Sequence, residues 1–457
     1  MDPLAESAQL AAILESAQRM ALSFREGLAA RPVACPAPSR PTFTLPEEGL
    51  GSLGALDAFQ QSFEPGLSGS PGPRYLGFVV GGSTPAALAG DWLAAAYDQN
   101  LSNAGDSVAS FVELQALAML RDLFGIPGGF EGVFVTGATQ ANLVGLATGR
   151  QWAGRRLGVD LSEEGIAAAG RIPVLSGAPH ASVLKAMSIL GLGRRSLVPV
   201  ATRKGTEAVD PGALEAALAS LGGRPAIVVG NAGTVNTTAF DDLDRLADAC
   251  ERHGAWLHVD GAFGLFAAVS QRHAGRLGGL GRADSIATDA HKWLNVPYDA
   301  GIVFTRHLGL QQEVFRAAAA YLGEGDDLLH RAPENSRRFR ALPAWMALLA
   351  YGRSGVRAVV ERCCELAEAL GRWVEGSGDY DLLAPVSLNV VCFAPRRAEA
   401  RDAILQFLVR DGRVFLTPTV LGGRVGMRAA FSNASTTRED LEVVTGALAD
   451  AAREGAR

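Results

Sequence analysis

The stretch Ala283–Arg306 reads ADSIATDAHKWLNVPYDAGIVFTR, and the rest of the chain is arranged around its centre, His291-Lys292. Two short apolar runs flank that dipeptide. Asp284-Ser285-Ile286-Ala287-Thr288 precedes it, and Gly301-Ile302-Val303-Phe304-Thr305 follows as a buried strand ending at Arg306. A lysine beside an aromatic residue at a strand end is placed to form a Schiff base with a carbonyl, and burial there favours the neutral amine this step needs. A lone lysine is usually a surface residue. What gives Lys292 a different weight lies upstream.

Residues 255–262 read AWLHVDGA: strand-like residues run into Asp260, then into Gly261 and Ala262. A carboxylate at the buried end of a central strand is costly unless it meets a positive partner. A protonated pyridine nitrogen is such a partner; a helix cap or an internal ion pair is the other way to satisfy Asp260. One crossover separates it from Lys292, which favours the first. Together, HVDGA and ADSIATDAHKW resemble the signature of the group II amino acid decarboxylases, enzymes of the aspartate-aminotransferase-like fold (fold type I) that depend on pyridoxal 5'-phosphate (PLP). In that family a strand ends in HVDAA, and ADS…HKW carries the Schiff-base lysine.

Composition allows such an enzyme. The 457 residues leave room for two or three domains, and 48% hydrophobic with 20% charged residues is ordinary for a soluble globular protein. A net charge of −6, without a basic stripe, argues against nucleic acid as a partner. No 18-residue apolar run marks a membrane span, and the N-terminus MDPLAESAQL lacks the basic and apolar regions of a signal peptide. Five cysteines without metal-ligand spacing read as thiols of a reducing cytoplasm, so a cytoplasmic protein without a metal is expected.

Along the chain, residues 2–30 have helical spacing, and Arg31–Pro46 breaks it with five prolines. This suits an arm packed on a partner subunit. The resemblance begins at Arg74-Tyr75-Leu76-Gly77-Phe78. A helix over Val108–Phe124 precedes a strand at Gly132–Val135, the turn Thr136-Gly137-Ala138-Thr139, and a helix from Gln140. Small and hydroxyl residues at a helix N-terminus suit a phosphate, although they also serve as an ordinary cap. A strand at Ile172–Ser176 leads to His180, and the apolar run Ala226–Gly230 leads to Asn231-Ala232-Gly233-Thr234-Val235. The alternation of strand, loop and helix from about 130 to 305 predicts a mostly parallel sheet covered by helices, with ligand-binding residues at the carboxyl ends of its strands. Further on, Leu308–Tyr321, Leu342–Tyr351 and Val356–Trp373 read as helices. The last region alternates strands (Ser387–Phe393, Arg413–Leu416, Arg424–Phe431) with helices (Glu399–Arg410, Arg438–Ala452), as a small α+β domain does. The expected division is an arm at 1–73, a large PLP-binding α/β domain at 74–325 and a small α+β domain at 326–457. Arg428 lies mid-strand before SNASTT, placed either to fork a substrate carboxylate or to form an internal ion pair.

The resemblance implies roles residue by residue. TGATQAN stands where the family has SGGTEAN, which implies a phosphate site at Gly137, Ala138 and Thr139, with Ser285 and His291 nearby. Ser176, His180, Ser182, Lys185 and Ala186 match the family's SxxAHxSxxKA element, whose histidine stacks on the cofactor ring. Thr234 matches the first threonine of a Gly-Thr-Thr element near the cofactor; Val235 replaces the second. Ser336–Leu342 matches the (G/S)RRFRALK element. Catalysis would fall to Lys292, Asp260 and His180, in a homodimer, with an aromatic or other bulky L-amino acid as substrate. One departure bears on the reaction. The family's aromatic amino acid decarboxylases carry a loop tyrosine that protonates the product carbanion, and that position, counted back without gaps from Arg337-Arg338-Phe339-Arg340, falls at Leu328 in Asp326-Asp327-Leu328-Leu329-His330. The nearest tyrosine is Tyr321, and the nearest alternative proton donor is His330. A lyase or aldolase acting at Cα–Cβ, a decarboxylation-dependent aldehyde synthase and a non-catalytic PLP-binding protein are the alternatives to simple decarboxylation.

Overall fold

Runs of β-branched and aromatic residues form seven short strands: β1 (Glu131–Val135), β2 (Val174–Ser176), β3 (Leu197–Pro199), β4 (Ile227–Asn231), β5 (Trp256–Asp260), β6 (Ser285–Asp289) and β7 (Gly301–Thr305). In this computed structural model, which describes residues 3–35, 38, 40–101, 107–317 and 327–455, they make one sheet in the order β1-β7-β6-β5-β4-β2-β3. Neighbours from β3 to β6 pair in parallel, and β7 runs antiparallel between β6 and β1. Every residue of β4 to β7 is buried, as expected of a sheet covered on both faces.

The two-residue period of the strands sorts the core. Phe134, Val228, Leu257, Val259, Ile286 and Phe304 face one apolar layer, whereas Val133, Val135, Ile227, Val229, Trp256 and Val303 face the other. Trp256, His258 and Asp260 therefore share a face of β5, and Ser285, Ala287 and Asp289 share the same face of β6. The helix Ala138–Arg156 lies over both strands.

A second, four-stranded antiparallel sheet has the order β10-β11-β9-β8, with β8 at Tyr380–Leu382, β9 at Val390–Pro395, β10 at Thr417–Leu421 and β11 at Arg424–Ala430. β10 begins later than the expected strand at Arg413–Leu416. Gly422 and Gly423 both take positive φ (56° and 79°) and close a two-residue hairpin that pairs Leu421 with Arg424, so the turn sets the register. Phe415 instead makes an isolated bridge to Tyr75, their rings 4.6 Å apart. β8 was not anticipated. Helix Ala341–Gly376 breaks at Gly352 (φ 58°, ψ −173°), which gives the two expected helices, and packs on Pro85–Tyr97 and Ala109–Phe124. Helix Leu308–Phe315 ends earlier than expected; Tyr321 and Asp326 lie outside the described residues. Among the described residues no helix is long and apolar enough to cross a membrane.

Candidate active site

Parallel strands direct their carboxyl ends to one edge, and the polar residues of the sheet collect there: Asn231 ends β4, Asp260 ends β5 and Asp289 ends β6. His180 follows β2 as the N-cap of helix Ala181–Ile189. Around them lies a hollow of about 250 Å³, with Lys292, Asp260, His180, Thr234, Ala262, His291 and Arg428 in its wall. Phe78, Val79, Val235, Phe263 and Tyr298 supply the apolar part of the lining.

Lys292 is not the amine among apolar groups that its flanking sequence suggests. Its Nζ pairs with Asp289 Oδ2 at 2.8 Å and lies 5.8 Å from the Phe263 ring centroid. Asp289 also accepts the Ala138 N–H through Oδ1, so one carboxylate joins the lysine to the start of helix Ala138–Arg156. The N–H groups of Thr139 and Gln140 have no acceptor among the described residues. Gly137 lies against His291, where even a Cβ would be 3.2 Å from the ring. The His291 Nδ1 accepts the Ala300 N–H, and its ring stacks at a tilt on Tyr298, 4.5 Å between centroids. Burial lowers the His291 pKa, against the pull of Asp289. The turn that carries Lys292 is tied down from the far end of the chain: Asn295 Nδ2 donates to the carbonyls of Lys292 (3.2 Å) and Ser432 (2.8 Å).

Asp260 is buried, yet satisfied. Asn142 Nδ2 donates to its Oδ2 at 2.8 Å and the Ala262 N–H to its Oδ1 at 3.2 Å. His180 receives the Ser182 N–H on Nδ1 at 3.3 Å. Desolvation lowers the His180 pKa; Asp260 opposes this, and Lys292 and Arg428 add to it. Thr234 donates to Glu207 at 2.6 Å. Arg428 is buried with Nε and Nη2 unpartnered among the described residues, so it is not in an internal ion pair. Burial lowers its pKa.

Two expected site residues lie elsewhere. Ser285 is at the opposite end of β6 from Asp289, with its hydroxyl bonded to Trp256 and His258 and fully buried, so it does not reach the hollow. His330 is buried beyond it, beside a separate groove formed by Gly309, Gln312, Glu313 and Arg316, and its Nδ1 accepts the Ala317 N–H. Leu328 packs with Ala94, Leu101, Ala109, Phe339 and Leu342. Asn142, Asp289, Phe263 and Tyr298 were not singled out from the sequence, although Asn142 closes TGATQAN and Asp289 precedes HKW by two residues.

The donor set suits PLP. A carboxylate held by two N–H donors can face a pyridinium, a lysine amine lines the same hollow, and free N–H groups at a helix start can receive a phosphate. Comparison with known proteins agrees. The model of the pyridoxal-dependent decarboxylase conserved domain matches residues 44–396. The chain is 29% identical to an aromatic-L-amino-acid decarboxylase of Bacillus atrophaeus over 423 residues, 88% of this chain and 85% of that one. It is 30% identical to an L-2,4-diaminobutyrate decarboxylase of Rhizobium meliloti over 385 residues, 80% and 75% of the two chains. The crystal structure of Oryza sativa TDC with PLP and tryptamine superposes with a TM-score of 0.90 over 99% of both chains at 24% identity, which establishes the shared fold.

Proposed function

The chain belongs to the pyridoxal-dependent decarboxylase family, and from that footing we propose that it decarboxylates an aromatic or other bulky L-amino acid with Lys292 as the covalent anchor of its cofactor. It is a PLP-dependent amino acid carboxy-lyase; the substrate's shape and the part of each residue are the proposal. The observation that carries it is the meeting in one hollow of Lys292, Asp260 and Arg428, whose Nε and Nη2 have no partner among the described residues.

When bound, PLP supplies an electron sink for the pair released as a bond to Cα breaks. Asp260 holds the proton of the pyridine nitrogen. His180 covers a ring face and excludes water. The free N–H groups of Thr139 and Gln140, with Gly137 and His291, would receive the phosphate, and Thr234 and Ala262 close the wall. Asp289 would hold the Lys292 amine in place whenever it is not bonded to the cofactor. Arg428 would receive the substrate carboxylate and so fix how the substrate lies in the hollow. Phe78, Phe263 and Tyr298 favour a bulky apolar side chain. Relatives that act on aromatic amino acids and on 2,4-diaminobutyrate span this choice. Leu328, an apolar residue where the family's loop tyrosine is expected, favours a second reading, a decarboxylation-dependent aldehyde synthase; among the hollow's lining groups His180 and Tyr298 carry transferable protons.

We extend the proposal to a cytoplasmic homodimer divided at 73/74 and 325/326. Free cysteines support the compartment. Helix Leu10–Glu26 supports the dimer, since it buries no residue within one chain and exposes Leu10, Leu14 and Leu22. Borohydride reduction of the PLP-loaded protein followed by peptide mapping tests the anchor. The label is expected on Lys292 and absent from Lys292→Ala; a full-level adduct elsewhere would refute the assignment.

A further inference from the structure

Behind Asp260 runs a chain of hydrogen bonds whose directions are all determined. Asp260 only accepts, so Asn142 must turn its Nδ2 towards it (2.8 Å), and the same amide donates to Ser182 Oγ (2.9 Å). Asn142 Oδ1 then faces His258 Nε2 at 2.9 Å, and because an amide oxygen can only accept, that nitrogen carries the proton. His258 is fully buried, and burial pushes its pKa down to about 4, against the pull of Asp260. The neutral ring therefore has a bare Nδ1, which accepts from Ser285 Oγ at 2.8 Å. Trp256 Nε1–H, which only donates, occupies the other side of that hydroxyl at 3.1 Å. A side branch runs from Ser182 Oγ to His180 Nδ1 at 2.8 Å, and the Ser182 N–H donates to the same nitrogen. His180 then carries its proton on Nε2.

The fold makes room for this chain. Trp256, His258 and Asp260 alternate on one face of β5, and Ser285 stands opposite His258 in the ladder to β6. The covering helix passes over them with Asn142, Gly145 and Gly149. A Cβ at Gly145 would be 2.5 Å from the His258 ring, and one at Gly149 would be 2.9 Å from the Trp256 ring. Two glycines inside a helix are unfavourable by propensity. Here they let an imidazole and an indole lie beneath it.

We propose that Trp256, Ser285, His258 and Asn142 form a one-way hydrogen-bond chain that orients the Asp260 carboxylate, with Ser182 as the branch that holds His180 in its Nε2–H tautomer and His258 as a positioning residue that never touches cofactor or substrate. The inference deepens the reading of Asp260 and His180 given above and rests on it. Without the Ser285 donor, His258 is free to hold its proton on Nδ1. Asn142 can then flip to satisfy Nε2, and its oxygen would face the Asp260 carboxylate. Ser182 would turn its hydroxyl to that oxygen, and His180 Nδ1 would keep only the Ser182 N–H as its donor.

The test has two arms on the full-length protein. In cofactor-free protein, long-range 1H–15N spectra of labelled histidines should show His180 and His258 as Nε2–H tautomers between pH 6.5 and 8. Ser285→Ala should give mixed tautomers at His258, whereas His180 stays Nε2–H because the Ser182 N–H still donates to its Nδ1, and Ser285→Thr should restore His258. In PLP-loaded protein, Ser285→Ala and His258→Phe should release cofactor about tenfold more readily, the loss expected of one hydrogen bond to a charged group, and should shift the pH dependence of the bound cofactor's visible band. If His258→Phe does not fold, Ser285→Ala decides alone. A wild-type His180 protonated on Nδ1, or a Ser285→Ala protein with unchanged tautomers and unchanged PLP retention, overturns the proposal. Trapping of wild-type cofactor at Lys292 separates the two levels: an adduct there with an inert Ser285→Ala refutes the chain alone, whereas an adduct elsewhere refutes the underlying reading.

Discussion

Arg428 is a buried cation whose Nε and Nη2 have no partner among the described residues, an arrangement that is costly unless a counter-charge arrives. If the substrate carboxylate is that charge, Arg428→Gln raises KM by about 10- to 100-fold, the range for a hydrogen bond to a charged group, with a smaller change in kcat. Steady-state kinetics on the substrate show the split, and a KM left unchanged counts against the assignment. His258 gives a second residue-level expectation, in stability. Its folded pKa of about 4 lies below the ordinary 6.5, so the unfolded chain binds the extra proton first. Stability from His258 is complete above pH 6.5, declines as pH falls towards 4 and is flat below, by about 3 kcal/mol in all. Asp241 acts in the opposite sense, because burial raises its pKa to about 6. It is present in both wild type and His258→Phe, so their difference isolates the histidine. Denaturant unfolding should show the wild type losing ground to the variant from pH 6.5 to 4; a constant gap would mean that His258 is not held neutral.

At the scale of elements, β1 is held at the edge of the sheet by a buried ion pair. Arg337 Nη2 meets Glu113 at 3.1 Å with neither side chain exposed, Arg337 Nη1 donates to the Phe134 carbonyl, and the Phe134 N–H donates back to Glu113. Removing one partner leaves a buried charge alone, so Glu113→Ala should cost about 3–5 kcal/mol in unfolding free energy. A loss below 1 kcal/mol would mean that water reaches Arg337. The strands that place the hollow were legible in the sequence because buried parallel strands are apolar runs and each ends in a polar residue: WLHVD at Asp260 and GIVFT beyond Lys292 are instances. Ser285 was misplaced because the resemblance put it near the phosphate, whereas strand period and length put it about 13 Å from the other end of β6. Asn142 and Asp289 were missed for a different reason. Each matters through a partner far away in sequence, Asp260 and Ala138, which local spacing does not reveal. β10 starts later than the apolar run at Arg413–Leu416 suggests, because the Gly422-Gly423 hairpin turn sets its register.

At the scale of the molecule, the same N-terminal arm that exposes the leucines of Leu10–Glu26 also exposes Phe43, Leu45 and Phe59, and clustered apolar exposure marks a surface that another molecule covers. If a second copy covers this face, sedimentation should show a dimer that Leu14→Asp combined with Leu22→Asp dissociates; a wild-type monomer would remove the arm from the account. The reaction is the claim on which everything else depends. Purified protein with PLP should be given pools of L-amino acids while carbon dioxide, amine, aldehyde and oxygen uptake are followed together. Carbon dioxide and an equal amount of amine are expected from an aromatic or bulky amino acid. Aldehyde with oxygen uptake in place of that amine, or no carbon dioxide from any pool, would contradict that claim.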